Sequence, residues 1–248
     1  NIIISAKFIS RPQSILGNNQ FNFLNKKETL PPPLDWNDGS LPKLWLYNLH
    51  YFEGLMNRET SSRLKGDFIQ KWIEDNPAGQ GNGWEPYPNS LRICNWIKWA
   101  LSGNELSRNA INSLAVQTRY LMKTLEFHLL GNHLFANAKA LIFAGRFFEG
   151  DEADKWLKKG LAILKKQIPE QFNTGIHFEL SPTYHTLLLE DLLDLHNLLQ
   201  VTPYNISTLG PPLEYILEIT QNITRPDGLM PLFNDAAYGV TPITSEIL

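Results

Sequence analysis

From about Leu46 to Thr224 apolar residues recur at intervals of three and four, and the periodic stretches are punctuated by Gly, Pro and Asn. That period puts the apolar side chains on one face of an α-helix. No run alternates polar and apolar residues convincingly enough to build a sheet. Leu64, Phe68, Ile69, Trp72 and Ile73 predict a helix capped by Ser61 or Ser62 and ending near Asn76-Pro77. Ile93, Ile97, Ala100 and Leu101 predict another, starting at Asn89 or Ser90 and stopping at Gly103. Ile111, Leu114, Leu121 and Leu125 predict a long one reaching about Leu130. The stretch GNHLFANAKALIFAG (131–145) supplies the next, and Asp151 is expected to cap one that carries Ala153, Leu157, Leu161, Leu164 and Ile168. Ser181-Pro182 is a strong start signal, Ser as cap and Pro at the first helical position, for a helix striped by Tyr184, Leu188, Leu192, Leu195 and Leu199. A last helix is expected from about Pro212 to Thr224. Short loops between such helices imply an all-α chain of helical hairpins. Residues 1–45 read instead as an irregular N-terminal arm: a possible strand at Ile2 to Ile4, Asn-rich sequence, then LPPPLDWNDGSLP with turn residues throughout.

With 248 residues and 43% hydrophobic content, the chain can bury a substantial core. Its net charge of -3 and scattered basic residues give no case for nucleic acid or an anionic membrane as partner. The most apolar run, Leu134 to Phe148, is interrupted by Asn137, Lys139 and Arg146, so it reads as a core helix and no membrane insertion is expected. The single cysteine, Cys94, excludes an intrachain disulfide and a cysteine-based metal site. Seven Trp, eight Tyr and thirteen Phe suit stacking on sugar rings and equally suit a helical core. The Asn-x-Ser/Thr sequons at Asn205 and Asn222 read as chance. A start at Asn1 without Met and an end at Leu248 read as the boundaries of a fragment.

Three polar clusters interrupt the helical background. GWEPYPNSLRICNW (83–96) carries Trp84, Glu85, Tyr87, Asn89 and Arg92 where a loop enters a helix. FHLLGNHLFANAK (127–139) carries His128, Asn132, His133, Asn137 and Lys139, and HFELSPTYH (177–185) carries His177, Glu179, Tyr184 and His185. Each has a plain structural reading: Asn132 as a helix cap, His133 and His185 as satisfied core histidines, Glu179 as a buried partner for Arg92, Lys139 as a lysine snorkelling to the surface. The six His show no ligand spacing for a metal, and neither a Gly-x-Ser-x-Gly elbow, a phosphate-cradling loop nor a dinucleotide fingerprint is present. No metal or cofactor is therefore expected. Tyr184 falls at the third position of its helix, where the helix dipole favours an anion by about 1 kcal/mol or less. A tyrosine needs such help to act as a base, and His185 and Arg92 are candidates to add to it.

These clusters, in this order, resemble the N-terminal helical domain of the heparinase II/III-like proteins, a group of polysaccharide lyases and their relatives. The matching words are WLYNLHYFEGL (45–55), GWEPYPNSLRICNWIKW (83–99), EFHLLGNHLFANAKALIFAG (126–145), HFELSPTYHTLLLEDLLDL (177–195) and DGLMPLFNDAAYG (227–239). The resemblance implies an incomplete (α/α) toroid of hairpins over 46–248, around a groove for an acidic polysaccharide. It implies β-elimination at a uronic acid residue linked through O4, a reaction that needs the carboxylate neutralised, the C5 proton removed and the departing O4 protonated. On that pattern Asn132 or His133 serves the carboxylate, and Tyr184 is the general acid or acid/base. Trp84, Tyr87, Arg92 and Glu179 would line or brace the groove, with Glu85, Asn89, Asn137, His185 and Asp235 as further substrate contacts. The lyases also carry a C-terminal β-sandwich that adds a catalytic His, and such a domain is expected to be missing here. A periplasmic or secreted location is likewise only implied. Two other functions fit the residues: a glycoside hydrolase on a similar toroid, with Glu85, Glu179 and Asp235 as its candidate acids, or a non-catalytic glycan-binding or exopolysaccharide-assembly module.

Overall fold

A computed structural model describes residues 8–129, 131–172, 174–200, 211 and 213–247. The expected strand at Ile2 to Ile4, the sequon at Asn205 and the expected helix start at Pro212 lie outside the described residues. After the arm come α1 (Lys43–Tyr51), α2 (Ser62–Asp75), α3 (Pro86–Leu101), α4 (Arg108–Lys123), α5 (His133–Phe147), α6 (Asp151–Gln171), α7 (Pro182–Leu199), α8 (Leu213–Ile223) and the short α9 (Thr244–Ile247). Neighbour relations sort the long helices into two rows. α1 packs on α3, α3 on α5 and α5 on α7, while α2 packs on α4, and α4, α6 and α8 each lie against the inner helix before them. The chain is thus an incomplete (α/α) toroid, its hairpins standing side by side with one helix of each in the inner row. Because each return helix reverses direction, α3, α5 and α7 all begin at the same end of the molecule. Residues at their N-termini are brought together by topology alone.

Composition explains which helices are inner. α5 is buried continuously from Leu134 to Gly145, as a helix apolar all round must be. α6 buries only the Ala153, Trp156, Leu157, Gly160, Ile163, Leu164 and Ile168 side. Its contact with α5 is close: a methyl group on Gly160 would lie 2.6 Å from Ile142 Cγ1 and 2.8 Å from the Ala138 carbonyl oxygen, and one on Gly145 2.7 Å from the Ala153 carbonyl. Helix ends follow the expected signals in part. Ser61 and Ser181 cap α2 and α7, each accepting from the backbone N–H three residues on. α4 ends at Lys123, short of Leu130, and the cap of α6 is Gly150, with Asp151 in its first turn beside Glu152 and Asp154, where carboxylates suit the dipole.

The arm is more ordered than its sequence suggests. β1 (Ile15–Gly17), β2 (Gln20–Phe23) and β3 (Lys26–Thr29) form an antiparallel meander. Its turns are Asn18-Asn19 and Leu24-Asn25, with φ of 50°, 55°, 54° and 60°. Positive φ at both central residues is the two-residue hairpin geometry, which Asn tolerates well. Strands of three and four residues are too short to show alternation, so the hairpins hide in an Asn-rich stretch. Phe21 and Phe23 turn inward, their rings 5.4 Å from Phe68 and 5.2 Å from Trp45, which fastens the arm to α1 and α2.

Candidate active site

At the N-terminal end of the inner row, Asn132 Nδ2 donates to the Tyr87 hydroxyl at 2.8 Å, joining the starts of α5 and α3. Asn132 is therefore not a helix cap by its side chain; its backbone is already helical, at φ -80° and ψ -8°. The His133 ring packs on the Tyr87 ring with centroids 4.5 Å apart. Its Nδ1 meets Glu126 Oε1 at 3.0 Å, a contact that orients the ring and, in the neutral imidazole, favours the tautomer with the lone pair on Nε2. Glu126 is itself clamped: its Oε2 accepts from Asn137 Nδ2 at 3.0 Å and its N–H donates to Asn137 Oδ1 at 2.9 Å. Gln171 ties this turn to the next element, donating to the Gly131 carbonyl at 2.9 Å while its Oε1 accepts from His177 Nε2 at 2.7 Å.

Tyr184, half-buried in the first turn of α7, stacks on His177 with centroids 6.2 Å apart and planes inclined by 26°. Burial, then the charges of Glu179 and Asp235, hold its phenol above the usual tyrosine value. Those two acids reach it because the turn before α7 and the FNDAAYG segment are stitched together: Asn234 Nδ2 donates to the Leu180 carbonyl at 2.9 Å, and Ala237 N–H donates to Thr183 Oγ1 at 2.9 Å. Glu179 also lies against Gly131, since a methyl group there would stand 3.0 Å from its Oε1. Its carboxyl is pushed up by burial and by Asp235. Tyr184 is in turn close enough to act electrostatically on Tyr87, whose phenol burial pushes far above its usual value. The structure thus gathers Tyr87, Asn132, His133, Glu179, Tyr184 and Asp235 at one end.

Five other candidates turn inward. Arg92 is fully buried; its guanidinium lies 3.8 Å from the Trp72 ring centroid and donates to Gln117 Oε1 and Asn89 Oδ1, both at 2.9 Å, with no carboxylate partner among the described residues. It is therefore neither a ligand for substrate nor the mate of Glu179, and it does not assist Tyr184. Asn89 spends its amide on the Gln117 carbonyl at 3.1 Å. Trp84 is core, edge-on to Tyr120 and tilted on Trp72, with its N–H on the Asn76 carbonyl. Asn137 is wholly buried, bonded to Ser90 and Glu126. His185 accepts from the His177 backbone N–H through Nδ1, so Nε2 bears the proton and donates to Thr220 Oγ1 at 2.9 Å. Burial lowers it to about 4, so it is a neutral core bracket and not a cation beside Tyr184. Glu85, partly exposed, is engaged by the Tyr47 hydroxyl and by Lys43 at 3.0 Å, and it falls outside the cluster.

Lys139 is not a surface lysine. It is buried beneath the site, bonded to Asp191 at 2.6 Å and Asp194 at 2.5 Å. Asp194 also takes Lys98 of α3 at 2.6 Å, and Glu190 takes Arg11 of the arm at 2.8 Å. Three cations and three carboxylates thereby lock together the helices that carry Tyr87, Asn132 with His133, and Tyr184. Burial works against the charge of Lys139, but Asp191 and Asp194 outweigh it and hold its ammonium well above the ordinary lysine value. Glu126 and this cluster escape sequence reasoning because their partners lie on other helices. The one available signal for Glu126 is its place in the same short word as His133, EFHLLGNH.

The inner-row geometry defines the chain as an (α/α) toroid with a titratable cluster at one end. The chain belongs to the heparinase II/III N-terminus family, whose sequence profile matches residues 68–244. A heparin-sulfate lyase of Bacteroides stercoris is 33% identical over 114 residues, covering 43% of this chain and 17% of that protein. A heparin-sulfate lyase of Pedobacter heparinus is 29% identical over 133 residues, covering 51% and 20%. Among solved structures, the heparan sulfate lyase HepC from Pedobacter heparinus aligns with a TM-score of 0.61 and 23% identity over 88% of this chain and 38% of that one. Heparinase III aligns with a TM-score of 0.66 and 23% identity over 84% and 37%. The matched regions therefore span well under half the length of these relatives.

Proposed function

We propose that this chain is the helical part of a polysaccharide lyase that cleaves an acidic, uronic acid-containing polysaccharide by β-elimination. The likeness to heparin-sulfate and heparan sulfate lyases favours a glycosaminoglycan over alginate or an exopolysaccharide. The observation that carries the reading is the meeting of Asn132, His133 and Tyr184 at one end of the inner row. Asn132, its amide oriented by Tyr87, offers a neutral donor to the uronate carboxylate, where negative charge builds as the C5 proton leaves. His133, oriented by Glu126, presents a lone pair at Nε2 and serves as the base. Tyr184 holds its proton through neutral pH and donates it to the departing O4, the role its carboxylate neighbours favour. Tyr87 and Glu179 line this end, and Asp235 tunes Tyr184 from across it. Residues 1–45 act as a strap, 46–248 as the toroid, and a β-sandwich domain of the same protein would add its own histidine.

A second reading draws on Glu179, whose carboxyl is pushed up by burial and then by Asp235. Two carboxyls with unequal environments are the acid pair of a glycoside hydrolase. Incubating the full-length protein with heparan sulfate separates the readings. Elimination yields an ultraviolet-absorbing unsaturated uronide at each cut; hydrolysis yields reducing ends without that absorbance. Binding with neither product would leave a non-catalytic glycan module.

A further inference from the structure

On the outer row, behind the turn that presents Asn132 and His133, lies a cavity of about 320 Å³ lined by Phe127, Leu134, Lys159, Ile163, Lys166 and Glu170, among others. Phe127 is 60% exposed, more than any other large apolar side chain among the described residues. Lys159 Nζ stands 5.0 Å from its centroid, so the ring is half of a cation–π pair. Basic residues are scattered over the chain, but α6 gathers Lys155, Lys158, Lys159, Lys165 and Lys166. Arg119 and Glu152 pair with each other near the start of that helix, whereas no ion pair occupies Lys159 or Lys166 among the described residues. The acid on the rim, Glu170, accepts from Gln167 at 2.6 Å. An exposed aromatic ring in one recess of small-ligand size with two ammonium groups that no carboxylate neutralises among the described residues suits a sugar ring stacked on the aromatic with sulfate or carboxylate groups on the lysines.

We infer that the Phe127–Lys159–Lys166 recess is a second binding site for an anionic oligosaccharide, separate from the candidate active site and sharing a wall with it. The wall is short: Phe127 follows Glu126, which holds His133, and Leu134 follows His133. A long chain bound in the recess is held beside the turn that carries the candidate catalytic residues, and that raises its local concentration there. The choice of an acidic glycan as ligand rests on the function proposed above.

Lysine acetylation footprinting of the full-length protein, with and without a size-defined heparan sulfate octasaccharide, tests this directly. Lys159 and Lys166 are expected to be protected, while Lys71 on α2 is not, and a neutral oligosaccharide of equal length is expected to protect none. The double variant Lys159→Gln, Lys166→Gln is expected to weaken octasaccharide binding about tenfold at low salt, with the loss shrinking as salt rises. Turnover of a fragment too short to reach the recess stays unchanged. Protection retained in a protein that makes no unsaturated product would sink the lyase reading alone. Unsaturated product together with unprotected lysines, or unaltered binding by the double variant, would overturn the recess.

Discussion

Lys139 shows how far a residue's role depends on partners distant in sequence. Replacing it with Met leaves Asp191 and Asp194 buried with one cation fewer, and breaking such a pair from one side costs about 3–5 kcal/mol. A urea titration of Lys139→Met checks this, and adding Asp191→Asn is expected to recover part of the loss. At Tyr184, Asp235→Asn is expected to lower the phenol's pKa, because a like charge that favours the neutral form is gone. The alkaline limb of the rate profile should then move to lower pH; an unmoved limb would show that Asp235 does not act on Tyr184. Asn132, His133 and Tyr184 were legible in sequence as polar residues at helix starts. Asn89, Arg92, Asn137 and His185 carry the same signature and face inward. What separates the two sets is supplied by Gln117, Ser90, Glu126 and Thr220 on other elements, which no local pattern can reveal.

Among the elements, α5 and α6 are the tightest pair, and small residues make them so. Gly160→Ala would drive a methyl group into Ile142 and the Ala138 carbonyl, with an expected cost of about 1–3 kcal/mol by overpacking. Thermal melts read this, and a neutral result would mean that α6 can slide along α5 without loss. The helices themselves were legible because a period sustained over several turns, with a Ser cap or a Ser-Pro start, is strong local information. The hairpins of the arm were not, since three or four residues cannot show alternation and Leu24 gives no turn signal. Their order comes from Phe21 and Phe23 docking on Phe68 and Trp45, a tertiary effect.

For the molecule as a whole, three buried histidines make the fold acid-sensitive. His50 is lowered from 6.5 to about 3, and His177 and His185 to about 4, chiefly by burial. A histidine whose folded value lies below its unfolded one binds more protons when unfolded, so stability rises with pH between the two values. It is fully present above pH 6.5 and lost as pH falls toward 4, and melts across that window should show a falling Tm. The inner row that buries these rings also places Tyr184 beside the α5 turn, so fold and chemistry stand on the same geometry. Product formation by Tyr184→Phe in the full-length protein probes that link. The parent should accumulate unsaturated uronide from an acidic polysaccharide, and the variant, with an unchanged melt, should lose about a hundredfold or more of that rate. Equal rates in parent and variant, or reducing ends formed without the unsaturated product, would rule out Tyr184 as the acid of an elimination.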